Sequence, residues 1–394
     1  MTIVLTTIWT PEYLTEVLKG YPHPPTVRYL DWGNADALDE LLKIAQNRSG
    51  ADVSQVGDTW VSGFVGMDAL RPFSAREVAS LGGREAFLPP FWQMGTRPGA
   101  DSSTYSIPST TGSRYILYRR DLLENAGIDP NEAFLTPAQV EQTVEQLRLA
   151  GVKIPLVLET RGRELLYRSA AWLRSMGGDY YDAGQRRVVF DSPQAVAGLA
   201  SFFRLIRSMP PEVRDDQDAW RDKWFVRGQA AVTISGFWLY DLCQKSLPAK
   251  EFSAVQVAPP PGIPFVGGAH FVIWKHTTRE TEAFNLVRHL CSREAMMLDF
   301  QLSGHTTIPS RMDALNAPPF TTEQAFQAAR QTLLQGRGFW AWPLSTLIEK
   351  RLVTMLDQLS EEVMNSPHES VEDLVVKNVA PLARTLNFTL GSLA

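Results

Sequence analysis

Apolar positions along the chain switch repeatedly between a two-residue and a roughly 3.6-residue period. Runs at Thr2–Trp9, Thr26–Asp31 and Asp52–Val56 predict strands. Between the last two, Leu38, Leu41, Leu42 and Ala45 share one helical face, with Asn34 as N-cap and Gly50 past the end. A strand–helix–strand unit of this length implies parallel pairing. The alternation continues. Short strands are expected at Tyr105–Pro108 and Ser113–Tyr118, then a helix over Asp121–Ala126 stopped by Gly127. Thr136 and Pro137 open a helix carrying Val140, Val144 and Leu147, and Pro155–Leu158 follows as a strand. Ser192 and Pro193 open another helix, with Val196, Leu199, Ala200 and Phe203 on one face. A last helix from about Ser345 carries Ile348, Leu352, Met355, Leu356 and Leu359, a stripe that reads as a core face.

The most distinctive stretch is Phe225–Tyr240. Ala230 to Ile234 are small or β-branched, which suits a strand buried on both faces; Gly236 then allows a sharp turn that delivers Trp238 to the strand's carboxyl end. In open α/β sheets ligands bind beyond the carboxyl ends of the strands. The first three strands repeat this arrangement. They end near Trp9 and Glu12, near Asp31 and Trp32, and near Asp58, Thr59 and Trp60. Parallel pairing would put all three groups on one rim. An indole face beside hydrogen-bonding carboxylates suits a sugar ring, which has an apolar C–H face and an edge of hydroxyls; core packing is the alternative for each Trp.

A length of 394 residues calls for two domains. Apolar and charged contents of 44% and 21% are those of a globular protein, and 38 basic against 43 acidic residues argue against a nucleic-acid partner. No apolar run is long enough to span a bilayer, and Met1–Trp9 lacks the features of a secretory signal. Cys243 and Cys291 are expected as buried thiols. The chain contains no Gly-x-Ser-x-Gly, phosphate-binding loop, His-Glu-x-x-His or Cys-x-x-Cys motif, and neither a metal nor a cofactor is expected. Converging carboxylates at Glu12, Asp31 and Asp58 leave a glycosidase-like reading open.

Tyr105-Ser-Ile-Pro108 followed by Tyr115-Ile-Leu-Tyr-Arg-Arg-Asp-Leu-Leu-Glu-Asn-Ala-Gly127 resembles a crossover segment of family 1 extracellular solute-binding proteins, the sugar-binding subunits of bacterial ABC importers. Asp52–Trp60, Gly228–Trp238, Gly267-Gly268 with Phe271–Ile273, and Gly304 through Pro309 to Arg311 resemble further elements of the family in the same order. The resemblance implies an α/β, type II periplasmic-binding-protein fold, with two α/β lobes joined by crossover strands and a ligand cleft between them. One lobe would hold residues 1–112 and 267–312, the other 113–266 and 313–394.

By the same resemblance Trp238 matches a Trp that stacks on sugar. Gly267 and Gly268 would admit close backbone approach by a ligand or serve the hinge; His270 is a candidate hydrogen-bond donor with a structural role as the alternative, and Arg311 and Arg337 are candidate donors to hydroxyls with surface solvation as the alternative. Trp172 is a candidate in the second lobe, and one of Trp340 and Trp342 is expected to face the ligand. Ser109-Thr110-Thr111-Gly112 stand where many relatives carry an aromatic and then an acidic residue; Thr110 remains a candidate contact. Phe237 stands where the family commonly has Pro. The function so implied is non-enzymatic capture of a di- or oligosaccharide by a monomer and its delivery to a transmembrane permease. Its place would be the periplasm or a lipid anchor on the cell exterior. A carbohydrate-active enzyme and a sensory protein of the same fold are the alternatives.

Overall fold

The computed structural model describes residues 2–30, 36–96, 103–182, 184–216, 220–339 and 344–392. Its strands are β1 (Val4–Thr7), β2 (Thr26–Tyr29), β3 (Val53–Gly57), β4 (Ser106–Ser113), β5 (Tyr115–Arg119), β6 (Ile154–Val157), β7 (Tyr181–Asp182), β8 (Arg187–Val188), β9 (Ala230–Ser235), β10 (Val255–Ala258), β11 (Val266–Ile273) and β12 (Ile308–Pro309). The Asn34 cap lies outside the described residues.

Two compact units divide the chain. The first comprises Met1–Gly112, Val266–Thr321 and Gly338–Thr346; the second comprises Ser113–Phe265, Thr322–Arg337 and Leu347–Ala394. The first unit thus takes in the segments after residue 312 that run to Thr321 and from Gly338 to Thr346, beyond the division expected from the sequence.

In the first unit the strand order is β12-β4-β11-β3-β1-β2. β1 lies between β2 and β3 and runs parallel to both, so their carboxyl ends do share a rim. β11 closes onto β3 antiparallel. Alternate residues of β11 and the position after it enter different cores, as a two-residue period requires. Phe271 and Ile273 join Leu5, Trp9 and Ile107, whereas Val272 and Trp274 join Val56, Trp60 and Phe64. The Ser109–Gly112 stretch, which falls between the strands expected at Tyr105–Pro108 and Ser113–Tyr118, lies inside β4. Its small polar side chains are accommodated because they bond inward: Ser109 Oγ accepts from Gln55 Nε2 at 3.1 Å and Thr111 Oγ1 donates to the Gly267 carbonyl at 3.2 Å.

In the second unit β10-β5-β9-β6 form the main sheet, with β9 antiparallel to β5 and parallel to β6. Every residue of β5, β6 and β9 is buried, matching their apolar runs. The helix Pro137–Leu149 is capped by Thr136, whose hydroxyl accepts from the Gln139 amide, and Pro193–Ser208 is capped likewise by Ser192. The stripe from Ile348 to Leu359 is fully packed in Ser345–Asn365. That helix is not the last. Val371–Gly391 follows, opened by Ser370, and contains Pro381, which breaks the uniform helical signal in the sequence. Both cysteines are free and buried.

Beyond β1, the Trp9 indole donates to Asp299 at 3.0 Å and packs edge-on against Tyr13 and Phe271. Asp299 is buried, and loss of solvation pushes its carboxyl up to about 7 from an ordinary value of 3.8, outweighing its hydrogen bonds from Thr307 and Trp9. The folded value lies above the unfolded one. The associated stability is therefore complete below about pH 4 and lost as pH rises through about 7. Denaturant titrations should show the native chain losing roughly 2 kcal/mol relative to Asp299→Asn between about pH 5 and about pH 8. Parallel pH profiles for the two proteins would exclude this assignment.

Candidate functional site

β9 is the starting point in the second unit. After Ser235 the chain passes Gly236 and Phe237 and enters the helix Trp238–Ser246. The Trp238 ring folds back over Gly236, where a Cβ would lie only 1.7 Å from Cζ3 of the indole, so only glycine fits. Phe237 is the anchor of the turn. It is buried against Tyr115, Tyr240 and Phe326, with ring centroids 5.0–5.7 Å away, and fills apolar space that a proline would leave open. Trp238 itself is half-buried.

Arg114, just before β5, holds this indole. Its guanidinium carbon lies 4.7 Å from the Trp238 ring centroid and 5.1 Å from that of Tyr167, placing a cation between two aromatic rings. Arg114 Nε and Nη2 donate to the two carboxylate oxygens of Glu164 at 2.7 and 2.5 Å. This fork fixes the guanidinium plane. Tyr167 is fixed in turn by stacking on Phe265, 4.3 Å between centroids and 6° from coplanar.

The ionic chain continues inward. Arg168, one turn beyond Glu164 in the helix Arg163–Ser175, donates to Glu164 and, through Nη2, to Asp222, both at 3.0 Å. Asp222 accepts from Thr233 Oγ1 at 3.0 Å and Ser235 Oγ at 2.5 Å, returning the chain to β9. Burial favours the neutral form of Glu164, but the charges and hydrogen bonds of Arg114 and Arg168 prevail and hold its carboxyl down at about 2. Two arginines thus balance two carboxylates. Beside them, burial raises the Glu159 carboxyl while its Oε1 accepts from the amides of Arg221 and Asp222. The arrangement is a rigid aromatic plate over a charge-neutral support.

At the rim of the first unit, Asp58 and Thr59 open the helix Asp58–Gly66 directly after β3, and both are buried. A carboxylate in the first turn is favoured by the helix dipole. The Thr59 carbonyl accepts from Ser345 Oγ at 2.7 Å. Glu12 is exposed in the first turn of Pro11–Val17. Thr110 is buried in β4 and paired in register with Pro309. Asp31, Trp32, Trp340 and Trp342 lie outside the described residues.

Other sequence candidates have structural work instead. Trp60 is a core residue, packed with Val56, Val61 and Phe64. Trp172 lies late in Arg163–Ser175, fully buried and edge-on to Phe202; its helix presents Glu164 and Tyr167 to the Trp238 region instead. His270 is fully buried, with Nδ1 2.7 Å from Ser106 Oγ and its ring edge-on to Phe91. Desolvation pushes its pKa down to about 3, so it is neutral. Gly268 has φ +152°, and a Cβ there would meet the Thr110 carbonyl at 2.2 Å, so its lack of side chain serves the contact between β11 and β4; Gly267 beside it is buried and gives its carbonyl to Thr111. Arg311 lies over Phe87 and bonds Asp313 and the Leu81 and Cys291 carbonyls. Arg337 is exposed and paired with Asp179 at 2.6 Å.

Sequence reasoning passed over Arg114, Glu164, Tyr167 and Gln55. Gln55 is buried at the rim, accepting from Thr7 Oγ1 at 2.7 Å and donating to Ser109. Its central place in Asp52–Trp60 was the available signal, because a long amide inside a buried strand must find partners. Among the described residues no group of three or more His, Cys, Asp or Glu side chains is placed to hold a metal ion, and no helix is long and apolar enough to cross a membrane.

Two α/β units built from discontinuous segments, with the chain passing between them at β4–β5 and before β11, define the type II periplasmic-binding-protein fold. The sequence signature of the bacterial extracellular solute-binding protein family matches residues 7–297, and the chain belongs to that family. No curated protein matches it significantly. Among solved structures, the sugar-binding protein MalE from Xanthomonas citri matches with a TM-score of 0.82 and 19% identity, over 100% of this chain and 98% of its own. The GacH receptor of Streptomyces glaucescens, solved unliganded and with acarbose, gives 0.78 and 17%, covering 98% of each chain. Maltose-bound MalE3 of T. maritima gives 0.76 and 22%, over 98% of this chain and 99% of its own.

The packing of Trp238 on Gly236 can be measured. Gly236→Ala should cost about 1–3 kcal/mol of stability when Trp238 is present, from overpacking, and much less in a Trp238→Ala background. Equal costs in both backgrounds would show that the two residues do not meet.

Proposed function

We propose that this chain is the capturing subunit of an ABC importer, that its solute is a neutral di- or oligosaccharide, and that it hands this solute unchanged to a transmembrane permease. The observation that carries the reading is the half-buried Trp238, presented beyond the carboxyl end of β9 and held by Arg114. An indole plate fits the C–H face of a sugar ring. The neutrality of the solute follows from the charges beneath it. Arg114 is committed to Glu164 by a two-bond fork and Arg168 to Asp222, which leaves neither guanidinium for an ionised ligand.

Family membership supports transport over catalysis. So do the carboxylates on which the glycosidase reading rested, since Asp58 is buried at the start of its helix and Glu12 lies exposed in another. Acarbose and maltose, bound by the GacH receptor and by MalE3, are saccharides of the proposed size class. The protein works outside the cytoplasmic membrane, in the periplasm or on a lipid anchor, as a monomer. Asp58, Thr59, Glu12 and Thr110 are the first unit's candidates for the sugar hydroxyls, with Asp31, Trp32, Trp340 and Trp342 retained beside them.

A micromolar dissociation constant, about 8 kcal/mol of binding, is the scale such a task requires. Calorimetric titration of Trp238→Ala should give a Kd at least roughly five- to thirty-fold weaker, 1 to 2 kcal/mol, with folding intact. Unchanged affinity would remove Trp238 from the site. Release of new reducing ends during incubation with an oligosaccharide would replace the transport reading with an enzymatic one.

A further inference from the structure

The second unit carries another concavity, whose lining does not include Trp238 and which is not needed for the function proposed above. It is a pocket of about 520 Å³ between the helix Gln324–Gln335 and the end of β10, within the size range of small-molecule sites. Four glutamines, Gln324, Gln327, Gln331 and Gln335, line it. Their spacing of three, four and four residues puts all of them on one face of the helix, and all four are exposed. Tyr118 and Phe134, with ring centroids 5.0 Å apart, are buried in its wall. Tyr118 lies four residues along from Arg114, about 13 Å at the rise of a strand. The pocket is therefore a separate place on the same sheet.

Its composition is selective. With 21% of the chain charged, about three of its fifteen lining residues would be expected to carry Asp, Glu, Lys or Arg, and none does. An exposed helix face ordinarily carries Lys and Glu; here it carries amides that both donate and accept hydrogen bonds without charge. A ligand matched to that face is itself uncharged and presents groups that both donate and accept. The lining also includes the half-buried ring of Pro259, which offers C–H surface, and the buried Pro260; neither has an N–H. Since these prolines directly follow β10, an incoming peptide strand could not extend its pairing along that edge. Nor does the pocket offer the exposed aromatic ladder that proline-rich peptides dock on, because both its aromatic residues are buried. Hydroxyls against the amide row and a C–H face against Pro259 describe a sugar.

We propose that this glutamine-lined pocket is a second, weaker saccharide site, which holds neutral oligosaccharide on the surface of the second unit independently of Trp238. Weakness follows from the lining, because ordering several long side chains costs entropy at each one.

The test is a titration of maltotriose and cellotriose, followed by NMR of the glutamine side-chain amides in the full-length Trp238→Ala protein. The pocket amides should shift together and saturate with a Kd of about 1 mM or weaker. Ala328→Trp, which fills the pocket from a partly exposed position, should abolish those shifts while the remaining backbone spectrum stays that of the folded protein. Silent pocket amides at about 50 mM of either sugar would overturn the proposal. Failure here is distinguishable from failure of the carbohydrate-transport reading, since tryptophan indole signals in the unsubstituted protein report Trp238 separately. Shifts with a proline-rich peptide but neither sugar would overturn it as well.

Discussion

The second unit depends on a buried ionic chain that starts and ends at the same strand. From Trp238 beyond β9, it runs through Arg114, Glu164, Arg168 and Asp222 and returns to Thr233 and Ser235 of β9. Arg168 and Asp222 are almost fully buried, so neither charge has water to fall back on. Leaving one such charge unpaired costs about 3–5 kcal/mol, whereas an apolar replacement of the whole set would cost little. The chain therefore contributes definition rather than bulk stability. It ties β5, β9, the helix Arg163–Ser175 and the segment before Lys223 into one arrangement, and the plane of Arg114 sets the position of the Trp238 indole. If Trp238 meets the solute as proposed, fixing that plate beforehand reduces the entropy lost on binding.

The first unit solves a related problem with neutral groups. Its sheet carries Thr6, Thr7, Ser54, Gln55 and Ser109, all buried, and satisfies them across strands: Thr6 bonds Ser54, and Thr7 and Ser109 both bond Gln55. Trp274 adds an indole N–H to Ser54 at 2.6 Å. These bonds hold the register of the strands whose carboxyl ends present Asp58 and Thr59. Gly268 lets β11 pass close to Thr110 in β4.

Much of the fold was legible because its signals are local. Caps at Thr136 and Ser192, the buried run of β9 and the stripe after Ser345 all appear in the structure where their periodicity puts them. Trp238 was legible for the same reason, since glycine and the aromatic residue are two positions apart. The partners of Trp238 were not. Arg114, Glu164 and Tyr167 come from separate segments, and charged residues read one at a time look like solvated surface; only the fold converts Arg114 and Glu164 into a buried fork. The opposite error affected Trp60, Trp172 and His270, whose residue types suggest ligand contact and whose environments are core. Parallel pairing did place the strand ends on one rim, but the indoles of Trp9 and Trp60 turn inward from it, because a large apolar ring gains more from the two cores than from a wet edge.

The central claim is that this extracellular solute-binding protein captures a neutral saccharide. The measurement that tests it most directly is a thermal-shift screen of the purified protein against monosaccharides, disaccharides, oligosaccharides, polyols and amino acids, followed by recovery of any ligand found. A solute that binds only the folded state raises the melting temperature by mass action. A rise confined to one carbohydrate size class, with the sugar recovered unaltered, is the result expected. A rise with amino acids or another charged solute, and none with any carbohydrate, would contradict the account while leaving the fold intact.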